Sequence, residues 1–198
     1  PKTNLSKIFF YLLVLFLPTQ LGKHFWPDFS FVYGIRIGYL SPTIYVTDIL
    51  IFLVIIFWIL ENLGSIKTSI PKTIPYSIII LFLGIGIFSS RSPQVGIYGI
   101  IKFLEYAFLF SYTAKNFRIL NPFIVFSTFI LVLLFESFLT ILQYFNQGSL
   151  GGILYYFGER SFNSQTPGIA NASINGQLFL RPYATFSHPN VLAGYLVV

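Results

Sequence analysis

Long apolar stretches separated by short polar turns dominate the chain. A helix needs about 20 mostly apolar residues to cross about 30 Å of hydrocarbon, because each residue adds about 1.5 Å. The first stretch is shorter than this, and Lys7 and Lys23 would have to extend towards the membrane surfaces. We predict an all-α polytopic bundle whose spans, the last one cut off, lie at residues 8–21, 43–63, 75–89, 94–114, 123–145 and 191–198.

Proline marks the start of most of these stretches. It suits the first turn of a helix, where its missing N–H has no intrahelical partner and its fixed φ is already helical. Ser41, Ser92 and Asn121 precede three of these prolines and are competent N-caps. The five dipeptides are Ser41-Pro42, Ile74-Pro75, Ser92-Pro93, Asn121-Pro122 and His188-Pro189.

The distribution of basic residues predicts an orientation. Short loops rich in Lys and Arg stay on the cytoplasmic side of a membrane. Six basic residues fall in the short loops that we assign to the cytoplasm: Lys2, Lys7, Lys67, Lys72, Lys115 and Arg118. Five fall on the other side, spread over longer segments: Lys23, Arg36, Arg91, Arg160 and Arg181.

Two long loops, residues 22–41 and 146–189, are therefore predicted to face outward. Loops longer than about 12–15 residues are usually functional or disordered, and these two carry many aromatic residues. Aromatic side chains favour the membrane interface, which makes an interfacial belt the simpler explanation. Stacking against sugars is the alternative.

The composition excludes several classes of protein. The chain is 55% hydrophobic and 9% charged, with a mean hydropathy of +0.76, which lies outside the range of soluble domains. It has no cysteine, so disulfides and thiolate metal sites are excluded. The net charge of +6 is dispersed between apolar segments, unlike the basic patches of nucleic-acid-binding proteins. With no methionine and an apolar C-terminus, we expect the chain to be truncated at both ends.

Ionisable residues inside the predicted spans are candidates for function, because each costs about 2.5–3.5 kcal/mol to insert at a helix centre. Lys102 and Glu105 are three residues apart and either neutralise each other or line a polar cavity. Glu136 has no local partner, so we expect a basic residue from another helix or loop beside it.

Sequence motifs of soluble enzymes are missing: there is no phosphate-binding loop, paired-histidine zinc helix or nucleophile elbow. The arginines of the second outward loop are better candidates. A guanidinium binds phosphate through a planar fork of donors, which suits a lipid-linked diphosphate at a membrane surface. An exposed loop arginine is otherwise a solvated charge.

The run from Leu180 to Tyr195, LRPYATFSHPNVLAGY, resembles the signature of the O-antigen ligase and polymerase superfamily. That signature is an arginine, two residues, a small residue, Thr-Phe, and Pro-Asn leading into a helix. Further similar residues lie upstream, at 136–143, 148–150, 158–160 and 166–170.

The resemblance implies a GT-C-like membrane glycosyltransferase in a bacterial inner membrane, with its active side outward and no cofactor or metal. Its donor would be an undecaprenyl-diphosphate-linked glycan and its acceptor a lipid or another glycan. Arg181 would anchor the diphosphate, with Arg160, Glu136 and Asn190 as further substrate-binding candidates. The catalytic histidine of the superfamily is expected beyond Val198, and His188 is not its equivalent.

The alternative is a non-enzymatic flippase or transporter of lipid-linked glycans. Transporters favour helices broken near the middle of the bilayer and internal pseudo-symmetry. Here the prolines lie at helix starts and the polar residues gather in an outward loop. Ligase and polymerase activity remain equally compatible with the sequence.

Overall fold

The computed structural model describes residues 4–63, 84–87, 89–90 and 92–197. These residues are mostly helical, with three small two-stranded antiparallel sheets. The helices are α1 (Leu5–Leu15), α2 (Val46–Asn62), α3 (Pro93–Asn116), α4 (Pro122–Asn146) and α5 (Pro189–Val197). The strands are β1 (Gly22–His24), β2 (Phe31–Val32), β3 (Ile35–Arg36), β4 (Thr43–Tyr45), β5 (Asn171–Ile174) and β6 (Gln177–Leu180).

Helices α3 and α4 are long and apolar enough to cross a membrane. They have 24 and 25 residues and cover the predicted spans 94–114 and 123–145. Each begins with proline in its first turn, as the sequence predicts, and the Asn121 side chain accepts a hydrogen bond from the N–H of Phe123. Most of their apolar side chains are exposed, as expected for helices that face lipid or further helices.

The first two helices differ from the predicted spans. Helix α1 has 11 residues and ends before Pro18, well short of residue 21, so its length is only about 16 Å. Helix α2 starts at Val46, because residues 43–45 pair with residues 22–24 as strands β4 and β1. The predicted span 75–89 lies largely outside the described residues, of which 84–87 are helical.

Helix α1 packs against α2 and also contacts α4. A buried cluster joins α1, α2, α3 and the turn before α4, and consists of Phe10, Val54, Tyr112 and Leu120. At the start of α1, Glu61 of α2 accepts hydrogen bonds from the backbone N–H and the hydroxyl of Ser6, at 3.0 and 2.5 Å. Glu61 therefore satisfies a free N–H of the first turn of α1.

The segment between α4 and α5 folds back onto α4. It contains the 3-10 helix Gly152–Phe157 and the β5–β6 hairpin. A second buried cluster joins α4, residues 184–186 and α5, and consists of Leu139, Ala184, Phe186 and Leu192. This packing places the motif residues 181–190 against α4 instead of leaving them in solvent.

Candidate functional site

Two polar side chains on one face of α4 bind residues 181–190, which we call the motif loop. Glu136 and Gln143 are seven residues apart, so they lie two turns apart on the same face, and both are fully buried. Glu136 accepts hydrogen bonds from the N–H and the hydroxyl of Thr185, at 3.2 and 2.9 Å. In the described part of the chain its partner is therefore Thr185, where the sequence predicted a basic side chain.

Gln143 uses both ends of its amide. Its Oε1 accepts the N–H groups of Tyr183 and Ala184 at 3.1 and 2.7 Å, and its Nε2 donates to the Ala184 carbonyl at 3.2 Å and to Glu159 Oε1 at 2.8 Å. These bonds replace the water that buried backbone groups of a loop would otherwise need. The sequence analysis did not single out Gln143, although a polar residue seven positions after Glu136 in an apolar helix was a usable signal.

The motif loop reaches far along α4. Glu136 lies ten residues before the end of the helix at Asn146, a distance of about 15 Å. Because Thr185 contacts Glu136, the residues that lead into α5 lie beside α4. Helix α5 therefore begins beside α4 and not beyond its end. The end of the predicted outward loop 146–189 thus folds back along α4, and side chains of α4 satisfy its buried backbone polar groups.

The small residue of the motif has a structural reason. Ala184 has φ of 48°, in the left-handed region, and its side chain is 1% exposed. This conformation costs roughly 1–2 kcal/mol for a residue with a Cβ and excludes β-branched side chains. The hydrogen bonds from Gln143 hold the residue in this conformation.

Glu159 is a buried polar side chain within the loop between α4 and α5. It accepts the N–H groups of Leu150 and Gly151 at 2.8 and 2.7 Å in addition to the bond from Gln143. Its neighbour Arg160 points outward, donates to the Ser187 carbonyl at 3.0 Å, and lies 5.2 Å from the centroid of the Tyr183 ring. Glu159 therefore binds backbone groups within this loop, whereas the exposed Arg160 lies on the surface of the motif loop.

Arg181 and Asn190, both predicted to bind substrate, contact each other. Arg181 Nη2 donates to Asn190 Oδ1 at 2.6 Å, which brings the guanidinium to the N-terminus of α5. The Arg181 N–H donates to the Ala170 carbonyl at 3.0 Å, so the β5–β6 hairpin fixes the backbone of this residue. Within the described residues, only one of the five guanidinium N–H groups has a hydrogen-bond acceptor, which leaves most of the fork available for an anion.

An apolar cleft opens beside Arg181. It has a volume of ≈ 290 Å³ and lies between α4, α5 and the hairpin. Pro182 and Pro189 line it near Arg181, and Thr140 and Leu196 line it further along the two helices. The cleft therefore runs from the arginine along α5, with Thr140 and Tyr144 of α4 also in its lining.

A second apolar cavity, of ≈ 410 Å³, lies between α1 and α4 and includes Glu136, Phe135 and Phe157 in its lining. The segment after α1 closes one side of it. The Thr185 hydroxyl, whose single hydrogen is directed to Glu136, also lies 3.2 Å from the Pro18 carbonyl, and the Thr19 hydroxyl donates to the Phe157 carbonyl at 2.9 Å. This segment thus contacts both the 3-10 helix and the motif loop.

His188 caps α5. Its Nδ1 accepts the N–H of Asn190 at 3.1 Å, which assigns the ring hydrogen to Nε2. The imidazole also packs edge-on against the Tyr183 ring.

Lys102 has a second carboxylate partner, Asp48, in addition to the predicted partner Glu105. The sequence did not predict this contact. Lys102 forms an ion pair with Asp48 of α2 in addition to its contact of 3.5 Å with Glu105 Oε2. Asp48 also accepts the N–H of Tyr45 at 2.8 Å, at the start of α2. Lys102 therefore interacts with one carboxylate on α2 and one on its own helix, α3.

No protein-family model, curated protein or solved structure matches the chain.

Proposed function

We propose that the chain is part of a multi-pass glycosyltransferase of the bacterial inner membrane, with a GT-C-type helical fold. It transfers a glycan from an undecaprenyl-diphosphate-linked donor to a lipid or glycan acceptor on the outer face. The observation that carries the proposal is the position of Arg181, at the start of α5 and at one end of an apolar cleft. The motif resemblance supplies the reaction.

The chemistry around Arg181 suits a diphosphate. The guanidinium has unpaired donors in a planar fork, and its contact with Asn190 places it beside the positive end of the α5 dipole. Anions are favoured at such helix starts. Arg160 donates to the Ser187 carbonyl of the motif loop and adds a second positive charge there.

The cleft suits the lipid part of the donor. Its lining is mainly apolar: Leu192, Ala193 and Leu196 of α5 and the apolar side chains of the hairpin form most of it, and the polar side chains are Arg181, Thr140 and Tyr144. A polyprenyl chain buried there would direct its diphosphate towards the arginine. An apolar tail and a charged head are thus accommodated by adjacent parts of one site.

In the proposed reaction the acceptor hydroxyl attacks the anomeric carbon, and the bond to the diphosphate oxygen breaks. Arg181 stabilises the negative charge that develops on the leaving diphosphate. On the resemblance, a histidine C-terminal to residue 198 takes the acceptor proton. The contacts of Glu136 support a role in holding the motif loop, and Thr185 is the group it binds.

The transporter alternative receives less support. In the described residues α3 and α4 are continuous helices with proline only in the first turn. The interrupted helices typical of transporter binding sites are not found in this part of the chain. The motif loop instead forms a fixed surface around Arg181.

The test reconstitutes the full-length protein in proteoliposomes with an undecaprenyl-diphosphate-linked glycan, and offers lipid A–core or a second lipid-linked glycan as acceptor. We expect release of undecaprenyl diphosphate together with a glycan joined to one acceptor. Movement of intact donor across the bilayer, without release of undecaprenyl diphosphate, would contradict the proposal and favour the transporter.

A further inference from the structure

A polar cavity lies apart from the Arg181 cleft, between the end of α1, the start of α2 and the second half of α3. Its volume is ≈ 290 Å³. Its polar lining residues are Thr19, Gln20, Tyr45, Thr47, Asp48 and Tyr106. The cavities beside Arg181 and Glu136 are lined mainly by apolar residues, so this one differs in chemistry.

Several of these polar groups have no protein partner. In the described part of the chain, the side chains of Gln20, Thr47 and Tyr106 make no hydrogen bond. Tyr106 is 65% exposed and Gln20 and Thr47 are half-buried, so the cavity is open to its surroundings and water or a ligand is the partner of these groups. Unpaired polar groups around one cavity are available to a bound ligand.

The charges exclude an anion. The ammonium of Lys102 is bound by Asp48, so the cavity presents a carboxylate and neutral groups. A phosphate or sulfate would meet repulsion from Asp48. The ligand must therefore be neutral or cationic.

The neutral groups favour hydroxyls. The Gln20 amide and the hydroxyls of Thr47 and Tyr106 both donate and accept, which matches sugar hydroxyl groups. The tyrosine rings offer apolar faces for the C–H groups of a pyranose. A cavity at the lower end of the usual range for ligands holds one ring and excludes a long chain.

We propose that this cavity binds one neutral sugar ring of a glycan substrate. The inference rests on the proposed glycosyltransferase function and adds a second sugar-binding position to it. Thr19 lines both this cavity and the cavity beside Glu136, so the sugar would lie next to the segment that contacts the motif loop. Gly158 shows how tightly this segment packs: at φ of 108°, a Cβ would lie 2.5 Å from Thr19 Oγ1.

Binding is tested directly on the full-length protein in detergent by saturation-transfer difference NMR, with glucose and N-acetylglucosamine as probes. The variants are Thr47→Val and Gln20→Leu, which remove unpaired polar groups. The control is Thr128→Val in α4, a similar threonine with no described side-chain hydrogen bond. We expect a signal with at least one sugar that falls several-fold in both variants and persists in the control. Equal signals in all four proteins, or no signal in any, would overturn the inference.

Transfer kinetics distinguish whether the bound sugar ring belongs to the donor or to the acceptor. Loss of one hydrogen bond should raise the KM for the glycan that occupies the cavity about three- to tenfold, with kcat nearly unchanged. A rise for the acceptor identifies the acceptor sugar, and a rise for the donor identifies the donor glycan. Unchanged values for both, in an enzyme that transfers glycan, would overturn the inference and leave the proposed function standing.

Discussion

Gln143 binds both backbone polar groups of Ala184, accepting from the N–H at 2.7 Å and donating to the carbonyl at 3.2 Å. One buried side chain of α4 thus fixes the left-handed residue of the motif loop. The neighbouring hydrogen bonds between Glu136 and Thr185 repeat this arrangement two turns earlier. The polar residues of this apolar helix therefore hold the motif loop in place.

Gln143→Leu should destabilise the protein strongly. The leucine leaves the N–H groups of Tyr183 and Ala184 and the Ala184 carbonyl buried without partners, at a cost of about 1–3 kcal/mol each. Thermal unfolding of the full-length protein in detergent measures the loss. Gln165→Leu, the same change at an exposed position, is the control and should unfold like the wild type. Equal unfolding temperatures for both variants would show that the loop does not depend on Gln143.

Ala184→Gly and Ala184→Val should differ sharply. Glycine relieves the left-handed strain but loses a buried methyl group and adds freedom to the unfolded chain, so its net effect should be small. Valine cannot adopt this φ without strain of roughly 1–3 kcal/mol and has no room in the core. Ala193→Gly in helix α5 is the control and should cost about 0.5–1 kcal/mol. A well-folded Ala184→Val would contradict the assigned conformation.

Glu136→Gln should be tolerated, whereas Glu136→Leu should not. A glutamine accepts the Thr185 N–H through Oε1 and donates to the Thr185 hydroxyl through Nε2. That hydroxyl is then free to donate to the Pro18 carbonyl, which lies 3.2 Å away. Abundance in membranes and glycan transfer should both stay near wild type for glutamine and fall for leucine. Normal abundance of Glu136→Gln with lost transfer would instead place the carboxylate in the chemistry.

The sequence predicted the parts of the fold that depend on local signals. Proline in the first turn and charge-poor stretches placed α3 and α4 to within about two residues of their ends. The same signals failed for α1, because the uncharged stretch continues past Pro18 to Leu21 and composition alone does not show where its helix ends. The pairing of residues 22–24 with residues 43–45 was likewise not predicted, because neither short segment shows a strand pattern on its own.

The site depends on contacts that are distant in sequence. Gln143 and Glu136 reach backbone groups 40 to 49 residues away, and neither distance follows from helical periodicity. The pairing of Lys102 with Asp48 crosses between helices, whereas the sequence offered only the local partner Glu105. The motif resemblance identified Arg181 and Asn190 as candidates, but only the structure shows that they contact each other.

The proposed orientation predicts which residues are accessible from outside the cell. Because the chain has no cysteine, a single one can be introduced without background. Ser164→Cys, in the loop between α4 and α5, should react with an impermeant thiol reagent in intact cells. Phe117→Cys, in the exposed turn between α3 and α4, should react only after the membrane is opened. The reverse pattern would place the Arg181 cleft on the cytoplasmic side and contradict the proposed donor site.

The most direct test of the account is glycan transfer by Arg181→Lys and Arg181→Ala in the full-length protein. An ammonium supplies charge but not the planar fork, so both variants should insert at normal abundance and lose transfer by about 10²–10³ in rate. Arg36→Lys and Arg36→Ala, in the first outward loop, are the matched controls and should transfer like the wild type. Transfer at the wild-type rate by Arg181→Ala would contradict the role of Arg181 as the diphosphate anchor.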